Sequence, residues 1–140
     1  MKKSFLVIII IVSAVAGIMF WNSDEQKDRR IWNQFKSTLT TENIEKATYA
    51  GISEHTFSQI EKEKVLQWLR ESDFAKSNRI AHGPTPKGLI TLHFKDGTVQ
   101  HFGFWGGATF ETSPRHFDAK SQFLVASEEL GDFISQYDVN

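Results

Sequence analysis

The chain has 140 residues, of which 40% are hydrophobic and 13% aromatic, and its formal net charge is −1. Twelve Phe and four Trp are enough to build a core. This composition excludes a wholly disordered or low-complexity chain, and the length favours a single domain. The near-neutral charge argues against nucleic-acid binding, which uses a basic surface. The absence of cysteine excludes disulfides, thiol catalysis and cysteine-ligated metals.

The N-terminal segment differs in composition from the rest of the chain. Two lysines precede an apolar run that is interrupted only by Ser13 and Gly17. As a helix, residues 4–21 are about 27 Å long, which is enough to cross a hydrocarbon core of about 30 Å with slight thinning. The pattern therefore predicts a transmembrane signal-anchor helix over residues 1–21 that contacts the membrane through residues 4–21.

A cleaved signal peptide is the alternative for this segment. Ala14-Val15-Ala16 has the form of a signal-peptidase site, with cleavage before Gly17. We favour the uncleaved anchor, because cleavage there leaves the apolar stub Gly-Ile-Met-Phe-Trp as the new N-terminus. The uncleaved anchor predicts a single-pass protein of the cell membrane, with an extracytoplasmic domain at residues 22–140. Both interpretations place that domain in the same compartment. Basic residues lie on both sides of the segment in nearly equal number, so the positive-inside rule supports this orientation only weakly.

The first half of the domain contains two helix signals and one strand signal. Ser23 and Gln26 form a capping box ahead of an amphipathic stripe, and Ser58 and Glu61 form a second one. A short segment before Gly51 has weak strand character. The predicted elements are a helix at 24–38, a strand at 43–50 and a helix at 60–72.

The second half of the domain has the pattern of an antiparallel sheet followed by a helix. Asp96-Gly97 between two apolar-rich runs is a strong hairpin signal, and Ser127 precedes a final stripe of apolar residues at helical spacing. The predicted elements are a central hairpin at 89–105, short strands at 108–112 and 122–126, and a last helix after Ser127. The order of elements predicts an α+β fold, in which about three helices pack against one antiparallel sheet.

Two turns are possible in the central hairpin, and they give opposite registers. A two-residue turn pairs Phe94 with Val99, whereas a three-residue turn over residues 95–97 pairs Phe94 with Thr98. Only the second places the apolar residues of both strands on one face. Because a slip of one residue reverses every side chain, we predict the three-residue turn with Gly97 in the left-handed conformation.

This register brings His93 and His101 to one face as diagonal neighbours. With His82, His116 or Glu111 as a third ligand, the two imidazoles are weak candidates for a zinc site. The spacing matches no established metal motif, and we favour the interpretation that the two histidines are solvated on the outer face of a half-exposed sheet. We therefore predict that both histidines are accessible to solvent and hold no structural metal.

The other unusual stretch is Phe104, Trp105, Gly106 and Gly107, which we treat as a weak candidate for a ligand-binding rim. Glycine allows a partner to approach the backbone closely. We favour the other interpretation of this stretch, a tight turn or bulge with Trp105 folded onto the core. The spacing of the glycines matches no dinucleotide or phosphate-binding fingerprint.

No catalytic residue or cofactor is predicted. Ser121 and Ser127 lie near His116 and Asp118 in sequence, but the chain has no Gly-x-Ser-x-Gly motif. The leading functional hypothesis is therefore a membrane-anchored accessory or protein-interaction domain with a partner in the cell envelope and no enzymatic activity. The alternative is a small-ligand or metal-binding domain that uses the Trp105 loop or the His93/His101 face.

Overall fold

The computed structural model describes residues 2–21, 23–77, 85–113 and 122–138. Within these ranges the chain forms four helices and seven strands, and the predicted α+β class is confirmed. The helices are α1 (Lys2–Trp21), α2 (Asp24–Lys36), α3 (Gln59–Glu71) and α4 (Glu128–Ser135). The strands are β1 (Ile44–Ala50), β2 (Glu54–Thr56), β3 (Asp73–Ser77), β4 (Gly88–Phe94), β5 (Val99–Gly106), β6 (Thr109–Thr112) and β7 (Phe123–Ala126).

The seven strands form one antiparallel sheet in the order β2-β1-β4-β5-β6-β7-β3. The β4–β5 hairpin is central, as predicted. The sequence patterns did not predict β2 or β3, which form the two edges of the sheet. Each is short, and neither shows a run of alternating apolar residues, so the periodicity that indicates a half-buried strand is missing. β3 follows α3 in the chain and pairs with β7, at the opposite edge from β1 and β2.

The central hairpin has the predicted three-residue turn. The Phe94 backbone N–H donates to the Thr98 carbonyl at 2.8 Å, and the Gly97 N–H donates to the Phe94 carbonyl at 3.0 Å. Gly97 has a φ of 87°, in the left-handed region. Across the hairpin Ile90 pairs with Phe102 and Leu92 with Gln100. The apolar residues of both strands therefore share one face, as the register argument required.

That apolar face is covered by α2, α3 and α4. Trp32 of α2 is fully buried, and its ring centroid lies 6.1 Å from that of Phe102 and 5.9 Å from that of Phe123. α3 contributes Val65, Leu66 and Leu69, and α4 contributes Leu130 and Ile134. Each buried hydrophobic residue in the described core lies at or after Ile31 in the chain.

Two aromatic side chains, Trp68 and Phe133, lie at the margin of this core. Both pack against it from α3 and α4, with ring centroids 5.3 Å apart, but both remain partly exposed. The neighbouring positions Leu69 and Ile134 are the fully buried ones. The two aromatic rings therefore cover the margin of the core rather than fill its centre.

The side chains of α1 that the structure describes, from Ile8 to Met19, contribute nothing to this core. From Ile8 to Met19 every side chain is exposed, and all except Ser13 and Gly17 are apolar. Among the described residues, no single helix has both the length and the apolar character needed to cross a membrane. The segment Ile8–Met19 taken together with α2, across a bend of 53°, meets that requirement by length and composition.

Candidate functional site

The two histidines that the sequence singled out lie on the outer face of the sheet. His93 pairs with Val99 and His101 with Thr91, so both side chains lie opposite the helices. His101 is exposed and His93 is half-buried. The Nδ1 atom of His101 lies 3.1 Å from the Thr91 hydroxyl, a hydrogen bond across the two strands. Both imidazoles are therefore reachable from solvent, as expected.

A metal site needs a third ligand at this face. Within the ranges that the structure describes, no group of three His, Asp or Glu side chains is arranged to hold a metal ion. Glu111 lies on β6, and its Oε2 atom accepts a hydrogen bond from Trp105 Nε1 at 2.8 Å. His82 and His116 lie outside the described residues.

The four residues of the candidate rim lie at the end of β5 and in the turn after it, where the pairing with β6 shifts register between Phe104 and Gly106. Phe104 is buried on the inner face, with its ring 5.1 Å from that of Phe110. Trp105, one residue on, lies half-buried on the outer face. The expectation that Trp105 folds onto the core is therefore wrong. Gly106 and Gly107 form the tight turn between β5 and β6, with φ angles of 103° and 55°.

Gly103 forms the floor of a small groove beside this turn. An added Cβ at Gly103 would lie 3.1 Å from Cγ of Pro86, so a larger residue at this position would require the proline ring to shift by a few tenths of an ångström. The groove has a volume of about 230 Å³. Its lining includes Leu89, His101, Glu111 and Gln122. It therefore brings one of the two predicted histidines together with a carboxylate.

A larger cleft lies elsewhere, between the C-terminal end of α2 and the tip of the β4–β5 hairpin. Its volume is about 500 Å³, within the range of small-molecule sites. Its lining residues are Phe35, Thr38, Glu42, Asn43, Phe94, Lys95, Asp96 and Thr98. This cleft was not predicted from the sequence, because its two walls are more than 50 positions apart in the chain. The only available signals were the polar turn residues after each apolar run.

A cluster of titratable groups that are hydrogen-bonded to one another lies at the N-terminus of α3. The Glu61 carboxylate accepts hydrogen bonds from the Ser58 backbone N–H at 2.7 Å and from the Tyr137 hydroxyl at 2.9 Å, and it lies 3.4 Å from His55 Nε2. The pKa of Glu61 is lowered to about 2, mainly because its carboxylate accepts the hydrogen bond from the Ser58 backbone N–H. Burial, together with the hydrogen bond to Glu61, raises the pKa of Tyr137 to about 12.

This cluster has a structural explanation. Ser58 and Glu61 complete the predicted capping box of α3, and the His55 ring stacks on Tyr137 with centroids 4.4 Å apart. Nearby, the Tyr49 hydroxyl donates to Asp138 at 2.8 Å. Burial is the main cause that raises the pKa of Tyr49, so this phenol stays protonated and acts as a donor. The groups join β1, β2, α3 and the end of α4.

The serines considered for catalysis have no catalytic arrangement in the described ranges. The Ser127 hydroxyl accepts from the Leu130 backbone N–H at 3.3 Å and caps α4. Ser121, His116 and Asp118 lie outside the described residues.

The chain matches no protein-family model, and neither a curated protein nor a solved structure shows significant similarity to it.

Proposed function

We propose that the chain is a membrane-anchored accessory or protein-interaction domain, held at the cell membrane by α1. The observation that carries the proposal is the exposure of α1. Its apolar side chains from Ile8 to Met19 cover the whole circumference of the helix, yet the core of the domain is built without them. A helix that is apolar on all sides is stable when it is buried in protein or lipid. Lipid supplies that cover in this proposal.

In this proposal residues 1–21 stay attached as a single-pass signal anchor, and the domain at 22–140 lies outside the cytoplasm. Lys2 and Lys3 then lie on the cytoplasmic side, as the positive-inside rule favours. Lys27, Arg29 and Arg30 follow the segment on the opposite side and weaken this preference. The partner is another protein of the cell envelope.

Alkaline extraction of membranes tests the anchor. The full chain is expected to stay in the membrane pellet, and the double substitution of Ile10→Glu and Val15→Glu is expected to release it, because each carboxylate costs about 2.5–3.5 kcal/mol at the bilayer centre. Ile52→Glu is the matched control. Ile52 is 64% exposed and Ile10 59%, but Ile52 lies in the folded domain. Release of the unsubstituted chain, or retention of the double variant, would contradict the anchor.

The mass and the orientation of the anchored chain are tested with the same membranes. An intact mass that includes residues 1–21 is expected, whereas a chain starting at Gly17 would show cleavage. The chain has no cysteine, so Glu54→Cys introduces a unique thiol at an exposed position of β2. A membrane-impermeant maleimide is expected to label it in intact cells. Labelling only after lysis would place the domain in the cytoplasm.

A small-ligand-binding function on the outer face is the second candidate. The observation that favours it is the groove over Gly103, which places His101 and Glu111 beside a backbone that a ligand can approach closely. Trp105 is hydrogen-bonded to the same glutamate, so a bound ligand that displaces this bond changes the surroundings of the indole ring. A shift in tryptophan fluorescence that is lost in Trp105→Phe would support this candidate.

A further inference from the structure

The cleft at the tip of the β4–β5 hairpin has walls from two distant parts of the chain. One wall is the end of α2 and the turn that follows it, and the other is the hairpin turn at residues 95–97. The Lys95 backbone N–H donates to the Asn43 carbonyl at 2.8 Å, which joins the two walls. The cleft is therefore formed by hydrogen-bonded backbone on both sides, and its shape does not depend on a bound partner.

Two phenylalanine rings form the floor of the cleft. Phe35 is 1% exposed and Phe94 is 8% exposed, and their centroids lie 6.3 Å apart with the rings inclined at 58°. Phe35 also contacts Trp32 and Phe102, with centroids 5.8 and 6.1 Å away. The floor is thus an extension of the aromatic core. It offers a rigid apolar surface of limited area.

The rim of the cleft carries a net negative charge. Glu42 and Asp96 supply two carboxylates, and Lys95 supplies one ammonium group. Hydrogen bonds from its own backbone N–H and from the Thr40 hydroxyl lower the pKa of Glu42, so this carboxylate is ionised at neutral pH. Asp96 Oδ1 accepts from the Thr98 backbone N–H at 2.9 Å and from the Thr98 hydroxyl at 2.6 Å, which holds this carboxylate at the rim.

These features select one class of ligand. A net negative rim disfavours anions, and the described residues here do not provide the three ligands that a metal ion needs. An apolar floor below a net negative rim favours an organic cation, because the carboxylates attract its charge while its apolar group contacts the floor. We propose that this cleft is a binding site for a small organic cation that has one apolar group, such as an aryl-alkyl amine.

The position of the cleft fits a ligand from the aqueous phase. α1 joins the domain at the N-terminal end of α2, and Phe35 lies about 16 Å farther along that helix. The cleft is therefore at the end of α2 remote from α1. The inference does not depend on the anchor, because it rests only on residues of the folded domain.

Amide NMR of the full chain in detergent micelles, titrated with phenethylammonium chloride, tests the proposal. Saturable shifts are expected at the backbone amides of Asn43, Lys95 and Thr98. The neutral analogue 2-phenylethanol is expected to bind several-fold more weakly, and the anionic analogue 3-phenylpropionate more weakly still. The absence of saturable shifts at these amides up to about 10 mM amine, or shifts confined to α1, would overturn the proposal.

Charge-neutralising variants show whether the carboxylates recognise the cation. Glu42→Gln and Asp96→Asn are each expected to weaken amine binding about threefold, the size of one exposed ion pair, without affecting 2-phenylethanol. Asn at position 96 keeps an oxygen that accepts from Thr98, so the turn is preserved. Glu54→Gln is the matched control, because Glu54 lies on β2, where it pairs with Ala50 at the end of β1 that is remote from the cleft. Equal affinity of both cleft variants and the control, or tighter binding of 3-phenylpropionate than of the amine, would overturn the proposal.

Discussion

Gly131 lies in the middle of a short helix, and the close approach of another backbone segment explains why this residue is glycine. A Cβ placed at this residue would lie 1.9 Å from the Gly107 carbonyl oxygen and 3.1 Å from the Cα of Ala108. Both neighbours are backbone, so they cannot move aside as a flexible side chain does. α4 therefore crosses directly over the β5–β6 turn, and the glycines of the turn and of the helix form one close contact.

Gly131→Ala is expected to lower the free energy of unfolding by about 1–3 kcal/mol, because overpacking outweighs the gain of about 1 kcal/mol in helix propensity. Urea denaturation of the full chain in detergent measures the change. Asp132→Ala, at the exposed neighbouring position, is the control and is expected to stay within about 0.5 kcal/mol. A stabilised Gly131→Ala variant would show that α4 can move away from the turn.

At the scale of elements, Glu61 joins three parts of the chain. Its carboxylate caps α3, accepts a hydrogen bond from Tyr137 after α4, and lies beside His55 of β2. β2 is a three-residue edge strand, and these contacts supplement its pairing with β1. The single polar network therefore fixes one edge of the sheet to two helices.

The network predicts a dependence of stability on pH. The folded-state pKa of Glu61, about 2, lies below its ordinary value of 4.5. Its contribution to stability is therefore complete above about pH 4.5 and is lost as the pH falls towards 2. We expect the unfolding free energy to fall less between pH 5 and pH 3 in Glu61→Gln than in the unsubstituted chain. Glu63→Gln, on the exposed side of α3, serves as control. Parallel curves for all three proteins would contradict this assignment.

At the scale of the whole molecule, one aromatic core joins α2 to the sheet. Trp32 is at its centre, and its Nε1 atom lies 3.5 Å from the Ser72 carbonyl, next to β3. The cleft and the core share Phe35, so the candidate binding site rests directly on this core. α1 is attached outside this core, at the opposite end of α2.

Trp32→Ala is expected to cost about 3–5 kcal/mol of unfolding free energy, and Trp68→Ala about half as much, because Trp68 remains partly exposed beside Phe133. The two substitutions remove the same side chain, so each is the control for the other. Chemical denaturation of the full chain measures both. Equal losses would mean that the margin of the core contributes as much as its centre.

Much of the fold was predictable from short-range signals. The capping box at Ser58 and Glu61, the left-handed turn at Gly97 and the apolar spacing of Leu130 and Ile134 each depend on residues within one or two turns of chain. These patterns predicted α2, α3 and the central hairpin with ends within two residues of those in the structure, and they predicted that α4 begins after Ser127. The outer-face positions of His93 and His101 followed from the same register. Trp105 was misplaced, because it lies at a register shift of β5 and its indole bonds Glu111 on the next strand, and neither feature is visible in the sequence pattern.

The sequence by itself determined the α+β class, the caps of the helices and the register of the central hairpin, because the free energies that decide them come from neighbouring residues. The tertiary structure alone decided that β3 crosses to the far edge beside β7, that Gly131 must contact the Gly107 carbonyl, and that two polar turns enclose a cleft over Phe35 and Phe94. Each of these features depends on contacts between residues more than 20 positions apart. Such contacts leave no periodic trace in the sequence, since their formation depends on how whole elements pack.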